Sequence, residues 1–122
     1  MNTERRASPR VPVDFLVSYD ICRSSGEPSQ DEKQAIALDI SEGGIGLMTN
    51  FEIPAASTGH VRLRLKFDLI LNNGQSHDIC SLGEARYCFK VFGESKWHVG
   101  IQFVDLKEED KEIIAAFVRS SL

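Results

Sequence analysis

The chain has 122 residues, 42% of them hydrophobic and 26% charged. That suits a single domain over 1–122, able to bury roughly 65–70% of the surface it exposes when unfolded. No segment recurs at a fixed period, and the apolar runs fall far short of the ~20 residues of a membrane span. The net charge of −4 disfavours a general nucleic-acid binder, which normally carries a basic excess.

Residues 1–10 are polar and basic with no apolar stretch behind them, which points away from a signal peptide and towards a cytoplasmic protein without membrane insertion. Arg5, Arg6 and Arg10 outnumber Glu4 there and give residues 1–12 a local charge of +2, against −6 over the remaining 110. An acidic body with a short basic leader fits a small anionic ligand better than a long polyanion. Pro9 and Pro12 stiffen this segment, and Arg10 leads straight into the first strand. Arginine rather than lysine stands at all three places. Its planar fork can grip a phosphate or the O6/N7 edge of guanine, and can stack on a base.

Val11, Val13, Phe15, Val17, Tyr19 and Ile21 take every odd position, the period of a strand with one face buried. Arg23 to Lys33 reads as a long hairpin loop, Ala35 to Ile40 as a second strand, and Ser41 to Gly46 (SEGGIG) as a glycine-rich turn. Ile45 to Thr49 resumes as a strand. Within this region Asp39 ends a strand, where its carboxylate could accept the N1–H and N2–H₂ donors of guanine. It could equally cap the Ser41–Gly44 turn by accepting backbone N–H bonds. Ser41 adds a hydroxyl, and Gly43 and Gly44 would let a flat ligand approach the backbone.

Val61, Leu63, Leu65, Phe67, Leu69 and Leu71 form a second clean alternation. Its opposite face carries Arg62, Arg64 and Lys66, a solvated sheet face rather than a partner surface. Asn72-Asn73-Gly74 is a turn. Ser76 to Phe92 is a strand pair or one long bent strand, with a bulge at Gly83. Trp97, Val99, Ile101 and Phe103 alternate again, Trp97 in phase with the core. The period then changes to helical through Leu106, Ile113, Ile114, Phe117 and Val118, with Asp105 as N-cap and Glu108 three residues later.

The pattern predicts an all-β-dominated fold: a small antiparallel barrel of six to seven strands over 11–104, followed by a C-terminal helix over 105–122. Closure removes exposed edges, which favours a barrel over an open sheet. Cys22, Cys80 and Cys88 make no C-x-x-C pair, and His60, His77 and His98 match no metal-ligand spacing, so neither a disulfide framework nor a metal is expected. No nucleophile elbow or phosphate loop appears, and no catalytic residue is assigned.

The order R-R-x-x-x-R at 5–10, then D-x-S-x-x-G at 39–44, then Gly100-Ile101-Gln102-Phe103 before a final helix, resembles the PilZ domain family. The resemblance covers nearly the whole chain and is that of a stand-alone, single-domain member. It implies a non-enzymatic receptor for cyclic di-GMP that needs no cofactor. Arg6 and Arg10 would grip guanine edges and phosphates, with Arg5 beside them. Asp39 and Ser41 would read guanine, with Gly43 and Gly44 clearing space. An arginine at position 5 goes in that family with an intercalated ligand dimer. Binding would order the flexible 1–10 leader and create a surface for an unidentified protein partner. The alternatives are an adaptor of the same fold that works through protein partners without ligand, and a small-barrel nucleic-acid binder.

Overall fold

The computed structural model describes residues 9–23, 26–27, 29–53 and 61–122. Arg5 and Arg6 lie outside them. Seven strands and one helix follow in order: β1 (Val11–Pro12), β2 (Leu16–Ile21), β3 (Lys33–Ile40), β4 (Gly44–Thr49), β5 (Arg62–Ile70), β6 (Ser76–Lys90), β7 (Trp97–Asp105) and α1 (Glu108–Ser120). All strand pairings are antiparallel, in the order β1-β3-β2-β5-β6-β7-β4. A further β3–β4 pairing closes β2 to β7 into a six-stranded barrel with β1 as an extra strand. The expected barrel with a C-terminal helix is the observed fold.

Strict alternation makes β5 the simplest strand. Leu63, Leu65, Phe67 and Leu69 are buried, while Arg62, Arg64, Lys66 and Asp68 face out. Each buried leucine or phenylalanine contributes about 1.5–3 kcal/mol relative to exposure. Val17, Tyr19, Ala37, Ile45, Leu47, Ile79, Val99 and Ile101 fill the same interior from the other strands. Arg62 pairs with Glu84 and Lys66 with Glu32 on the outside, as suits a solvated face. Trp97 is half-buried and packs against the core.

β6 is one long bent strand. Its first half pairs with β5 and its second with β7, with register shifts between Leu82 and Gly83 and between Ala85 and Tyr87. Gly83 sits at the bend, where a Cβ would stand 2.4 Å from Ile101 Cγ2 inside the barrel. The Leu71–Gln75 turn closes on Gly74 at φ +85°, a conformation that favours glycine.

Two boundaries depart from the sequence pattern. The odd-position run 11–21 is not one strand: β1 and β2 flank Val13–Phe15. There Val13 N–H donates to the Leu38 carbonyl and Ala37 N–H to the Phe15 carbonyl, so contact with β3 persists without a regular ladder. Asp105 is not the helix N-cap either. It remains in β7 opposite Leu82, the helix starts at Glu108, and Lys107 takes the cap position without a side-chain cap bond. Glu108, Glu109 and Asp110 in the first turn and Arg119 in the last still suit the helix dipole. Ile114 and Val118 are buried, and the helix packs against β5. Among the described residues no helix is long and apolar enough to cross a membrane.

Candidate ligand site on the outer barrel face

The register of β3 shifts between Ala37 and Asp39. Ala37 and Ile40 both point into the core, so the irregularity turns the half-buried Asp39 outward between them. β1 pairs alongside, with Val11 opposite Ile40 and Pro12 opposite Asp39, which delivers Arg10 to the carboxylate. Arg10 Nη1 donates to Asp39 Oδ1 at 2.7 Å. Each side chain keeps about 30% of its surface exposed, at 30% and 29%. A pair so exposed adds at most about 1 kcal/mol to stability. Its value is positional: one N–H of the guanidinium is held by Asp39, and the fork has four more to offer.

Beyond Asp39 the strands align in one row around the outside of the barrel. Asp39 faces Gly46, Gly46 faces Gly100, and Gly100 faces Tyr87. The two glycines are buried because the Asp39 carboxylate lies over Gly46 and the Tyr87 ring lies over Gly100. A Cβ on Gly46 would stand 2.9 Å from Asp39 Oδ1, and one on Gly100 would stand 2.1 Å from Tyr87 Cε2. Tyr87 stacks on Phe89 at 5.7 Å between centroids and meets His98 edge-on at 5.5 Å, which fixes the ring over Gly100.

The adjoining turn has a different job for each residue. Ser41 is buried, and its hydroxyl accepts the N–H groups of Gly43 and Gly44 at 3.2 Å each. Ser41, not Asp39, therefore caps the turn, and Asp39 is left to Arg10. Gly43 is exposed with open space where a Cβ would be. At Gly44 a Cβ would lie 2.3 Å from the Ile101 carbonyl oxygen, so this glycine permits the close approach of β4 to β7. The structure thus brings Arg10, Asp39, Ser41, Gly43 and Gly44 to one corner of the barrel. Arg5 and Arg6 lie outside the described residues.

Gly46, Gly100 and Tyr87 are the site components that periodicity did not pick out as such. A signal existed for Gly100, which falls in the outward phase of the Trp97–Phe103 alternation where no turn asks for a glycine, whereas Gly46 was absorbed into the Ser41–Gly46 turn. Tyr87 had none, because the shift between Ala85 and Tyr87 changes which residues of β6 face out. Among the described residues no cluster of histidine, cysteine and carboxylate side chains could hold a metal ion. Burial pushes the Cys88 thiol up, which keeps it protonated and a poor nucleophile.

The family model of the PilZ domain matches residues 4–120. Among solved structures the chain is similar to the Bacillus subtilis inhibitor of motility MotI/DgrA, at 17% identity and a TM-score of 0.72, covering 97% of this chain and 51% of that one. It is similar to the PilZ domain of Escherichia coli YcgR solved with c-di-GMP, at 12% identity and 0.59, covering 97% and 92%. It also resembles Borreliella burgdorferi PlzA in complex with c-di-GMP, at 16% identity and 0.60, covering 93% and 41%. The chain spans about half the length of the first of these proteins. No curated protein matches it in sequence. With the barrel, the outward Asp39 and the match over nearly its full length, the chain belongs to the PilZ domain family.

Proposed function

We propose that this chain is a non-enzymatic receptor for cyclic di-GMP. The Arg10–Asp39 pair, held over Gly46 on the outer barrel face, is the observation that carries the proposal. Two of the three similar structures hold that ligand, which supports it. The ligand is a dianion with two guanines. A guanine docked edge-on to Asp39 would present its N1–H and N2–H₂ donors to the carboxylate. Arg10, anchored by the same carboxylate, would turn its remaining donors to a phosphate or to O6/N7. Tyr87, lying over Gly100, would offer the outer face of its ring for stacking, and exposed Gly43 would leave the turn open to the ligand. Ser41 contributes by holding that turn, and Gly44 by holding the strands beneath it.

Arg5 and Arg6 would add charge-assisted contacts from the leader, and Arg5 would favour an intercalated pair of ligand molecules. The leader would close over the ligand and offer a changed surface to a protein partner. Trypsin cleavage after Arg5 and Arg6 should then slow when cyclic di-GMP is added.

Calorimetric titration tests the proposal, with GTP and a single-stranded oligonucleotide as controls. Binding of cyclic di-GMP alone is expected. Arg10→Ala should weaken it by about 1–3 kcal/mol, the worth of one bidentate contact. A flat titration with cyclic di-GMP, or equal binding of the oligonucleotide, would overturn it.

A further inference from the structure

The barrel has one place where a strand loses its neighbour. β2 and β5 pair from Ile21↔Leu63 to Ser18↔Lys66, and there the pairing stops. β5 runs on to Ile70, while β2 turns to β3, with Leu16 opposite Ile36. Among the described residues nothing pairs with β5 on that side from Phe67 to Ile70. The Arg62 carbonyl accepts the Cys22 N–H at 2.8 Å, so the even-numbered residues of β5 aim their main-chain groups towards β2. By that parity Asp68 and Ile70 present N–H and C=O groups to the vacated side, a four-residue open edge.

A groove of about 730 Å³ follows this edge, lined by Phe15, Leu16, Phe67, Asp68, Ile70 and Asp78 among others. Leu16 and Ile70 are 58% and 64% exposed, high for large apolar side chains. On the outer face Asp68 stands directly opposite Asp78. Like charges so placed repel, and a hydrogen bond and repulsion from Asp78 hold the Asp68 carboxyl above its ordinary range. An open backbone edge, apolar flanks and a facing pair of carboxylates therefore coincide, and Lys66, the one cation among the groove's lining residues, is paired with Glu32.

We propose that the Phe67–Ile70 edge of β5 is a docking site for an extended segment of a partner protein in which lysine or arginine alternates with apolar residues. The segment would lie antiparallel to β5, in line with β2. Its main chain would bond to Asp68 and Ile70, and its side chains would alternate between the two faces. The basic residue beside Asp68 would complete the row Asp68–Asp78 and relieve its repulsion. The inward apolar residues would meet Phe15 and Phe67. A segment of alternating glutamate would face two like charges on the same edge and be rejected.

The probe is a fluorescein-labelled peptide, Val-Lys-Val-Arg-Val-Lys-Val with blocked ends, followed by anisotropy against the full chain. Its partner control carries glutamate at each basic position. Binding of the basic peptide alone is expected. It should weaken at least about fivefold in the double variant Asp68→Asn/Asp78→Asn, which removes the charges. It should weaken as much in Ile70→Pro, which removes an edge donor without touching the β5–β6 ladder. Should Ile70→Pro fail to fold by circular dichroism, N-methylation of the peptide's central residues removes the complementary hydrogen bonds, those donated by the peptide to the β5 carbonyls, and should weaken binding as much. Equal binding of the glutamate peptide, no binding of the basic one, or no response to either variant overturns the proposal. So does concentration-dependent self-association in sedimentation that Ile70→Pro abolishes, which would give the edge to a second copy of this chain.

Discussion

A single carbon atom separates the roles of the glycines around the site. Gly46→Ala would place its methyl 2.9 Å from Asp39 Oδ1, displacing the carboxylate from Arg10. Cyclic di-GMP affinity should fall about tenfold, with a Tm near that of the parent, when both are measured on one preparation. Gly43→Ala meets open space and should change neither. Asp39→Asn keeps shape but sets an NH₂ against guanine donors and weakens the hold on Arg10. It should lower affinity for cyclic di-GMP and narrow the preference over cyclic di-AMP. An unchanged ratio between the two ligands would leave Asp39 as an anchor for Arg10 alone. Arg10 and Asp39 were legible in the sequence because charge beside a strand pattern asks for an explanation. Tyr87 was not, because a register shift in β6 is set by barrel curvature and leaves no periodic trace.

The turns and ends of the elements carry separable energies. Ser41→Ala leaves the Gly43 and Gly44 N–H groups without their acceptor in a partly buried turn. It should cost about 1–3 kcal/mol in urea unfolding. Gly44→Ala drives a methyl into the Ile101 carbonyl and should cost at least as much, because backbone on both sides must move. The helix offers the opposite change. Lys107 sits at the cap position with no side-chain cap bond. Lys107→Asp should stabilise by about 0.5–2 kcal/mol, measured the same way. The helix itself was readable from Ile113, Ile114, Phe117 and Val118. Its start was not: Asp105 and Glu108 have capping-box spacing, but pairing of Asp105 with Leu82 keeps that segment extended. Tertiary pairing likewise split the 11–21 run, although its alternation is unbroken.

For the molecule as a whole, the half-buried Asp20 and the exposed Asp68 pull acid stability in opposite directions. The hydrogen bond from Ser29, with the Gln30 and Ser29 N–H groups, holds the Asp20 carboxyl below its ordinary range. That contribution is present above the unfolded-state value and is lost as pH falls through the lowered one. Asp68 is raised by Asp78, so its pair is a cost above the raised value and is relieved as pH falls through it. Asp78→Asn should therefore raise Tm at pH 7, with the gain shrinking below the carboxylate range. Asp20→Asn should lower Tm at pH 7 and lose its effect in the same acid window. Closure of the barrel was legible from the number of one-faced strands, because closure removes the edges an open sheet would expose. The open stretch of β5 was not, since the alternation of Leu63 to Leu69 runs through it unchanged.

The β4–β7 pairing that completes the ring also sets its clock. Thr49 meets Trp97 and Gly44 meets Gln102, partners 48 and 58 residues apart. Such distant pairings are slow to find, and all-β domains dominated by them fold in milliseconds to seconds. The local β5–β6 and β6–β7 hairpins can form first, leaving the β4–β7 seam to zip last. Gly44→Ala should then accelerate unfolding and leave the refolding rate almost untouched in stopped-flow chevrons, whereas Gly83→Ala, at the bend shared by both hairpins, should slow refolding.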